Sequence, residues 1–279
     1  MNPRLTLVLA GVLGLAACKK EAAPPPPAPT ANVVTVHAVN YSFSAPDTIP
    51  AGLTTFQLVN NGTLLHHVQL IKIDSGRTFD SLVAALRNPG PPPRWMIDVA
   101  GPNPPEPGDT TWLTTTLDAG HYAMICFIPD SNNAPHFTRG MIRPLEVGAA
   151  PAGPAAAEPT ADLELHLADY SFTESAPLTA GRHVIKVTND GPQPHEVYIV
   201  RLDSSTTPAQ LAEWGEHGLR GAGPPHHSMG GASGMMPGAH VFITVNLTPG
   251  RYAMMCFVPD ATDGKGHYAH GMVKEIRVS

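Results

Sequence analysis

The chain states one phrase twice, and that repetition limits its fold more than any other feature. "CFIPDSNNAPHFTRGM", Cys126 to Met141, returns as "CFVPDATDGKGHYAHGM", Cys256 to Met272. The echo extends outward. "NYSF" at Asn40 matches "DYSF" at Asp169, and "VNNGTLLHHVQLIKID" at Val59 matches "TNDGPQPHEVYIVRLD" at Thr188. "LDAGHYAMICFIPD" at Leu117 matches "LTPGRYAMMCFVPD" at Leu247, and the closing "RGMIRPLEV" matches "HGMVKEIRV". The offset between matching segments stays nearly constant, so the copies are colinear. Two units of one fold follow, at 32–147 and 162–279. They are separated by a small-residue linker at 148–161, and each is of ordinary domain size.

Within each unit the apolar residues alternate. "VVTVHAV", "TTFQLVN", "HHVQLIKI", "TTWLTTTL" and "HYAMICFI" read as strands bounded by Gly, Pro and Asn. One short helix per unit is expected, after the N-cap residues Thr78 and Thr207. With 31 Pro and 26 Gly the chain suits short strands and many turns. The fold class expected is all-β: two tandem Greek-key β-sandwich domains, each with one short helical insertion. Charged residues make up 14% and the formal net charge is -6. Both argue against a nucleic-acid partner, which needs a basic surface.

The N-terminus reads "MNPRLTLVLAGVLGLAAC". Arg4 precedes an apolar run of signal-peptide length that ends at Leu15-Ala16-Ala17-Cys18. This resembles a bacterial lipobox, which implies that residues 1–18 carry a lipoprotein signal and that Cys18 is lipidated. The Pro/Ala-rich stretch 19–31 reads as a semi-extended tether. The expected location is the bacterial cell envelope, with the chain lipid-anchored at a periplasmic or extracellular face. Two thiols then remain in an oxidising compartment, where they pair, are buried or are held by a metal.

Both copies keep the same four residue types in the same order. His66 and His195 each stand four residues after the Gly of an Asn-x-Gly turn. Cys126 and Cys256 each end a Gly-x-Tyr-x-x-x-Cys strand pattern. His136 and His267 each open His-x-x-x-Gly-Met, which closes on Met141 and Met272. Two imidazoles, a thiolate and a weak thioether are the donors of a blue-copper centre.

On these motifs the sequence resembles the cupredoxins, the plastocyanin and azurin family, over nearly all of both repeats. The resemblance implies type 1 copper, up to one ion per domain. Its ligands would be His66, Cys126, His136 and Met141, then His195, Cys256, His267 and Met272. It further implies one-electron transfer with redox partner proteins of the envelope. One departure stands out. Nine residues separate Cys126 from His136 and ten separate Cys256 from His267, far more than in the small cupredoxins. Lengthening a flexible loop threefold costs only about 1 kcal/mol of closure entropy. The long loop thus leaves two outcomes open: a metal site of altered geometry, or a metal-free cupredoxin-fold binding module.

His66 rather than His67 is the expected ligand, because the second copy has Glu196 where His67 stands. A strand also turns neighbouring side chains to opposite faces, so only one of the pair can point at the site. His121 and His270 read as surface residues, His37 and His166 as a structural pair, and Met124 and Met254 as core. The stretch 224–240 carries His226, His227, Met229, Met235, Met236 and His240 in a Gly-rich background. It reads either as an incidental flexible loop or as an auxiliary Cu(I) site, which would suit a Cu(I) buffering or delivery protein. An enzyme is not expected. Two-domain copper oxidases and nitrite reductases need further His ligands. Neither Cys here is flanked by His, no His-x-His occurs, and no Gly-x-Ser-x-Gly motif is present.

Overall fold

The computed structural model describes residues 30–74, 76–88, 90–219 and 223–279. The expected signal sequence, Cys18 and nearly all of the tether lie outside the described residues. The first unit comprises β1 (Asn32–Val39), β2 (Ser42–Ser44), β3 (Thr48–Pro50), β4 (Gly52–Asn60), β5 (Gln69–Ile73), α1 (Phe79–Leu86), β6 (Met96–Asp98), β7 (Thr110–Leu117), β8 (Gly120–Ile125) and β9 (Ile142–Gly148). The second comprises β10 (Leu163–Ala168), β11 (Ser171–Glu174), β12 (Gly181–Asn189), β13 (His195–Leu202), α2 (Pro208–Glu216), β14 (His226–Met235), β15 (His240–Leu247), β16 (Gly250–Met255) and β17 (Val273–Val278).

Alternation builds each sandwich. On β1, Val34, Val36 and Ala38 turn inward while their neighbours face out, as the period of a strand requires. The first unit packs the sheet β2-β1-β4-β7 over β3-β9-β8-β5-β6, and the second packs β11-β10-β12-β15 over β14-β13-β16-β17. One apolar cluster fills each gap. The first includes Phe56, Leu58, Tyr122 and Cys126, and the second includes Ile185, Val187, Tyr252 and Cys256. The helices begin where the caps predict. Thr78 and Thr207 each accept from the backbone N–H three residues on, and Ser81 and Gln210 return the bond to close a capping box.

The two units are not beads on a string. Strand β15 pairs antiparallel with β7, so the two front sheets merge into one of eight strands. The stretch 224–240 belongs to this junction, which corrects its reading as a loop. Most of it is β14, paired with β13 and bridged to Val99, Pro102 and Pro105 of the first unit. Its glycines serve close approach. A Cβ on Gly231, at φ +128, would lie 1.9 Å from the Val197 carbonyl oxygen. Only a residue without a side chain fits there.

Strand boundaries differ from expectation at the first histidine. His195 opens β13, but His66 precedes β5, which begins only at Gln69. The Val68 N–H bonds the Pro102 carbonyl across an irregular segment instead of entering a ladder. Strand alternation therefore separates His195 from Glu196, whereas His66 and His67 part ways on irregular backbone.

Candidate metal centres

Each upstream histidine is delivered by a side-chain-locked turn. Asn60 and Asn189 are fully buried. The Oδ1 of Asn60 accepts the Gly62 N–H at 3.0 Å, and that of Asn189 accepts the Gly191 N–H at 3.0 Å. Their Nδ2 groups donate onward, Asn60 to the Leu64 and Pro105 carbonyls and Asn189 to the Gln193 and Met235 carbonyls. The Asn-x-Gly motif is thus a folded clasp just ahead of His66 and His195.

Each cysteine lies one residue past its strand, after β8 and after β16, and is wholly buried. The two do not pair with each other; both are free thiols. Cys126 N–H bonds the Met141 carbonyl and Cys256 N–H the Met272 carbonyl, so the backbone sets both methionines beside the cysteines in the same apolar clusters.

The long Cys-to-His loops do not carry the second histidines away. Pro129 bridges to Pro135, and Pro259 to Gly266, pinching the extra residues into a side excursion. Asp130 Oδ1 accepts the N–H groups of Asn132 and Ala134 within the first excursion. Inside the pinch, His136 N–H bonds the Ile128 carbonyl and Phe137 N–H that of Cys126; His267 and Tyr268 repeat this on Val258 and Cys256. A short 3-10 turn then carries each histidine inward, His136–Arg139 and His267–His270.

These devices gather two triads. In the first, His66 Nδ1 and His136 Nδ1 stand 3.1 Å apart, and Cys126 Sγ lies 3.5 Å from His136 Nδ1. In the second, His195 Nδ1 and His267 Nδ1 stand 2.9 Å apart, with Cys256 Sγ at 3.9 and 3.3 Å from them. All six residues are buried. The edges of the second triad fit three atoms around a common centre. The radius of that circle is about 2 Å, the length of a metal–imidazole bond.

Tautomers favour the same use. His195 Nε2–H donates to Asp169 Oδ1 at 2.6 Å and His66 Nε2–H to Asn40 Oδ1 at 3.4 Å. Both leave the Nδ1 lone pair facing the triad. The opposite nitrogens of His136 and His267 are buried and make no hydrogen bond among the described residues. Burial drives the imidazoles toward the neutral form that a metal needs. Desolvation, with the neighbouring imidazole, lowers His66 and His267 to about 4, and desolvation lowers His136 and His195 as well. It pushes the Cys126 thiol up to about 12 and Cys256 well above its ordinary value. A bound cation must therefore displace the thiol proton. Soft sulfur beside two imidazoles fits copper.

The remaining expectations divide. His67 turns away from the triad and accepts the Phe127 N–H, and Glu196 accepts that of Phe257. Met124 and Met254 are fully buried core residues. His37 and His166 pair with Asn61 and Asp190 on their early strands. His121 is exposed against Glu146, while His270 stacks on Tyr170 beside Asp263.

The auxiliary Cu(I) set is not a cluster. His226 and Met235 occupy opposite ends of β14. A strand rises about 3.3 Å per residue, which holds those two well apart. Met235 is buried in the core, His227 is exposed, and His240 pairs with Glu158. What sequence reasoning missed is the pair of acceptors, Asn40 and Asp169. Their signal was the residue ahead of each Tyr-Ser-Phe. Tyr41 and Tyr170 of those motifs set their rings against His136 and His267.

No protein-family model and no curated protein matches the chain. Solved structures do. Reduced auracyanin from the photosynthetic bacterium Roseiflexus castenholzii is 18% identical, covering 42% of this chain and 94% of its own, with a TM-score of 0.31. The blue copper oxidase of Nitrosomonas europaea is 16% identical over 89% of this chain and 85% of its own, with a TM-score of 0.25. The copper-containing nitrite reductase of Thermus scotoductus is 14% identical over 88% of this chain and 61% of its own, with a TM-score of 0.23.

The two units are all-β sandwiches, in keeping with the fold class that the sequence resemblance implied. These likenesses correct one expectation, that the chain is not an enzyme. Chains aligned over 88–89% of this one include a blue copper oxidase and a copper-containing nitrite reductase, and the expectation of a non-enzyme is withdrawn on that finding.

Proposed function

We propose that the chain is a copper-binding protein with one type 1 site per domain, held by His66, Cys126, His136 and Met141 and by His195, Cys256, His267 and Met272. In this reading it carries single electrons between redox partners of the cell envelope, anchored through lipidated Cys18 and the tether 19–31. The observation that carries it is the convergence of two Nδ1 atoms and one Sγ in each unit, with spacings that a single ion spans. Copper held there would supply a one-electron couple between Cu(I) and Cu(II).

The chain's own residues do the rest. Asn40 and Asp169 orient the first imidazoles, the sandwich core and the rings of Tyr41 and Tyr170 exclude water, and each thiol gives up its proton on binding. The rigid clasp and pinch keep the donors in place in both oxidation states, which favours fast electron exchange. Among the described residues no helix is long and apolar enough to cross a membrane. Attachment in this reading falls to the lipid.

The test is copper loading of purified full-length protein. Two ions per chain and an intense visible thiolate-to-Cu(II) band are expected, halved by Cys126→Ser or Cys256→Ser and abolished by both. A colourless protein that takes up no copper would refute it. Turnover of nitrite and of phenols is to be measured on the same preparation.

A further inference from the structure

We propose that the two copper sites are electrochemically inequivalent, and that the Asp169 carboxylate on His195 holds the second site at a lower reduction potential than the first. This rests on the copper reading above. Both sites share ligands, depth and backbone scaffold, so a difference between them must come from the residues around the ligands. Three positions differ, and all three in the same sense.

Behind the upstream histidine, the first domain offers an amide and the second a carboxylate. Asn40 Oδ1 is 3.4 Å from His66 Nε2 and also accepts the Thr63 N–H. Asp169 Oδ1 is 2.6 Å from His195 Nε2, a short charge-assisted bond. A carboxylate behind a ligating imidazole raises its basicity and favours the more highly charged ion. Beside the same histidine, neutral His67 of the first domain is replaced by the Glu196 carboxyl, buried against the Phe257 N–H.

On the loop leading to the downstream histidine, Asp130 is neutralised by Arg139, whose Nε and Nη2 both reach its Oδ2 at 3.1 and 2.9 Å. The equivalent Asp260 lies 3.9 Å from His267 Nε2 and is met by neutral donors, Tyr170 Oη at 2.5 Å, Gln193 Nε2 at 2.9 Å and Thr262. The second site therefore has two carboxylates met by neutral donors, Asp169 and Asp260, where the first has an amide and a guanidinium-paired aspartate. Negative charge at a few ångströms in a buried setting stabilises Cu(II) over Cu(I). In protein poised at half reduction, the reduced ion is then found in the first domain.

The experiment isolates each site in the full chain. Cys126→Ser leaves only the second centre and Cys256→Ser only the first; each is copper-loaded and titrated by spectroelectrochemistry on its visible band. The second centre is expected to favour oxidation over the first by at least about tenfold, or about 59 mV for a one-electron couple. Asp169→Asn in the Cys126→Ser chain raises the potential toward that of the first site, Asp169→Glu retains most of the low value, and Asn40→Asp in the Cys256→Ser chain lowers the potential. Should Asp169→Asn fail to fold, the Asn40→Asp arm decides alone. Equal or reversed potentials with both bands present overturn this inference and leave the copper reading intact. Absence of both bands overturns the copper reading and this inference with it.

Discussion

Leu113 pairs with Ile243, its own equivalent in the other repeat, across the antiparallel junction of β7 and β15. On either side Trp112 meets Thr244 and Thr114 meets Phe242, so each contact is answered by its counterpart, as in an isologous twofold interface. The repeats are thus fused through a local twofold. Asn103 stitches the junction. It is buried, and its Nδ2 donates to the Val197 and Ala232 carbonyls of the second unit at 3.1 and 3.2 Å. Asn103→Leu strands two buried acceptors at about 1–3 kcal/mol each, so a loss of about 2–6 kcal/mol is expected. Denaturant unfolding is expected to stay a single transition with a lower midpoint. Two separate transitions in the unmodified protein would show that the domains do not act as one unit.

Gly191 stands against the second site. A Cβ there would lie 2.6 Å from His195 Nε2 and 2.9 Å from Asp169 Oδ1, closer than real Cβ contacts come. The imidazole is buried and cannot retreat, so Gly191→Ala must break its bond to Asp169. Loss of such an outer partner weakens metal affinity by about 10–100-fold. Copper titration of the variant is expected to show one centre of unchanged affinity and one weakened. Two unchanged centres would mean that the Gly–His contact is slack.

The doubled phrase disclosed the sandwich pair, the helix caps and the two His, Cys and His groups that the structure gathers, because period-two alternation and residue order are properties of the chain itself. Three things were illegible for a common reason. The junction of β7 with β15 and the bridging of β14 to Val99, Pro102 and Pro105 are contacts between the repeats, and the pinch at Pro129–Pro135 closes across a loop, so none of them is marked by alternation within one strand. Glycines at 230–231 look like loop residues until the Val197 carbonyl is seen pressing on one of them. The boundary error at His66 has the same root, since Pro102 draws Val68 out of the ladder.

Acid is expected to destabilise the metal-free protein. Burial lowers His66, His67 and His267 to about 4 and lowers His136 and His195 too, all from an ordinary 6.5. Between about 4 and 6.5 the unfolded chain therefore binds more protons at these five groups than the folded one, and stability rises with pH. Burial raises Glu196 and Asp98 to about 7, which acts with opposite sign above about 4.5. Five groups outweigh two. The urea midpoint of chelator-treated protein is expected to rise from pH 4.5 to 6.5 and then level off. A midpoint falling over that range would show that the imidazoles are not held neutral.

The excursion between Cys126 and His136 is expected to be dispensable for the site. His136 is fixed by its N–H to Ile128 and Phe137 by its N–H to Cys126, both inside the Pro129–Pro135 pinch, while residues 130–134 lie outside it. The Asp130 bonds to Asn132, Ala134 and Arg139 order the excursion but do not touch the triad. Replacing residues 130–134 with Asn-Gly closes the pinch with a two-residue hairpin turn of favoured type. Copper stoichiometry and the first site's visible band are expected to survive. Its potential rises slightly at most, because the guanidinium of Arg139 loses its counter-charge and positive charge favours Cu(I). Loss of the band with the second site intact would mean that the long loop, not the pinch, positions His136.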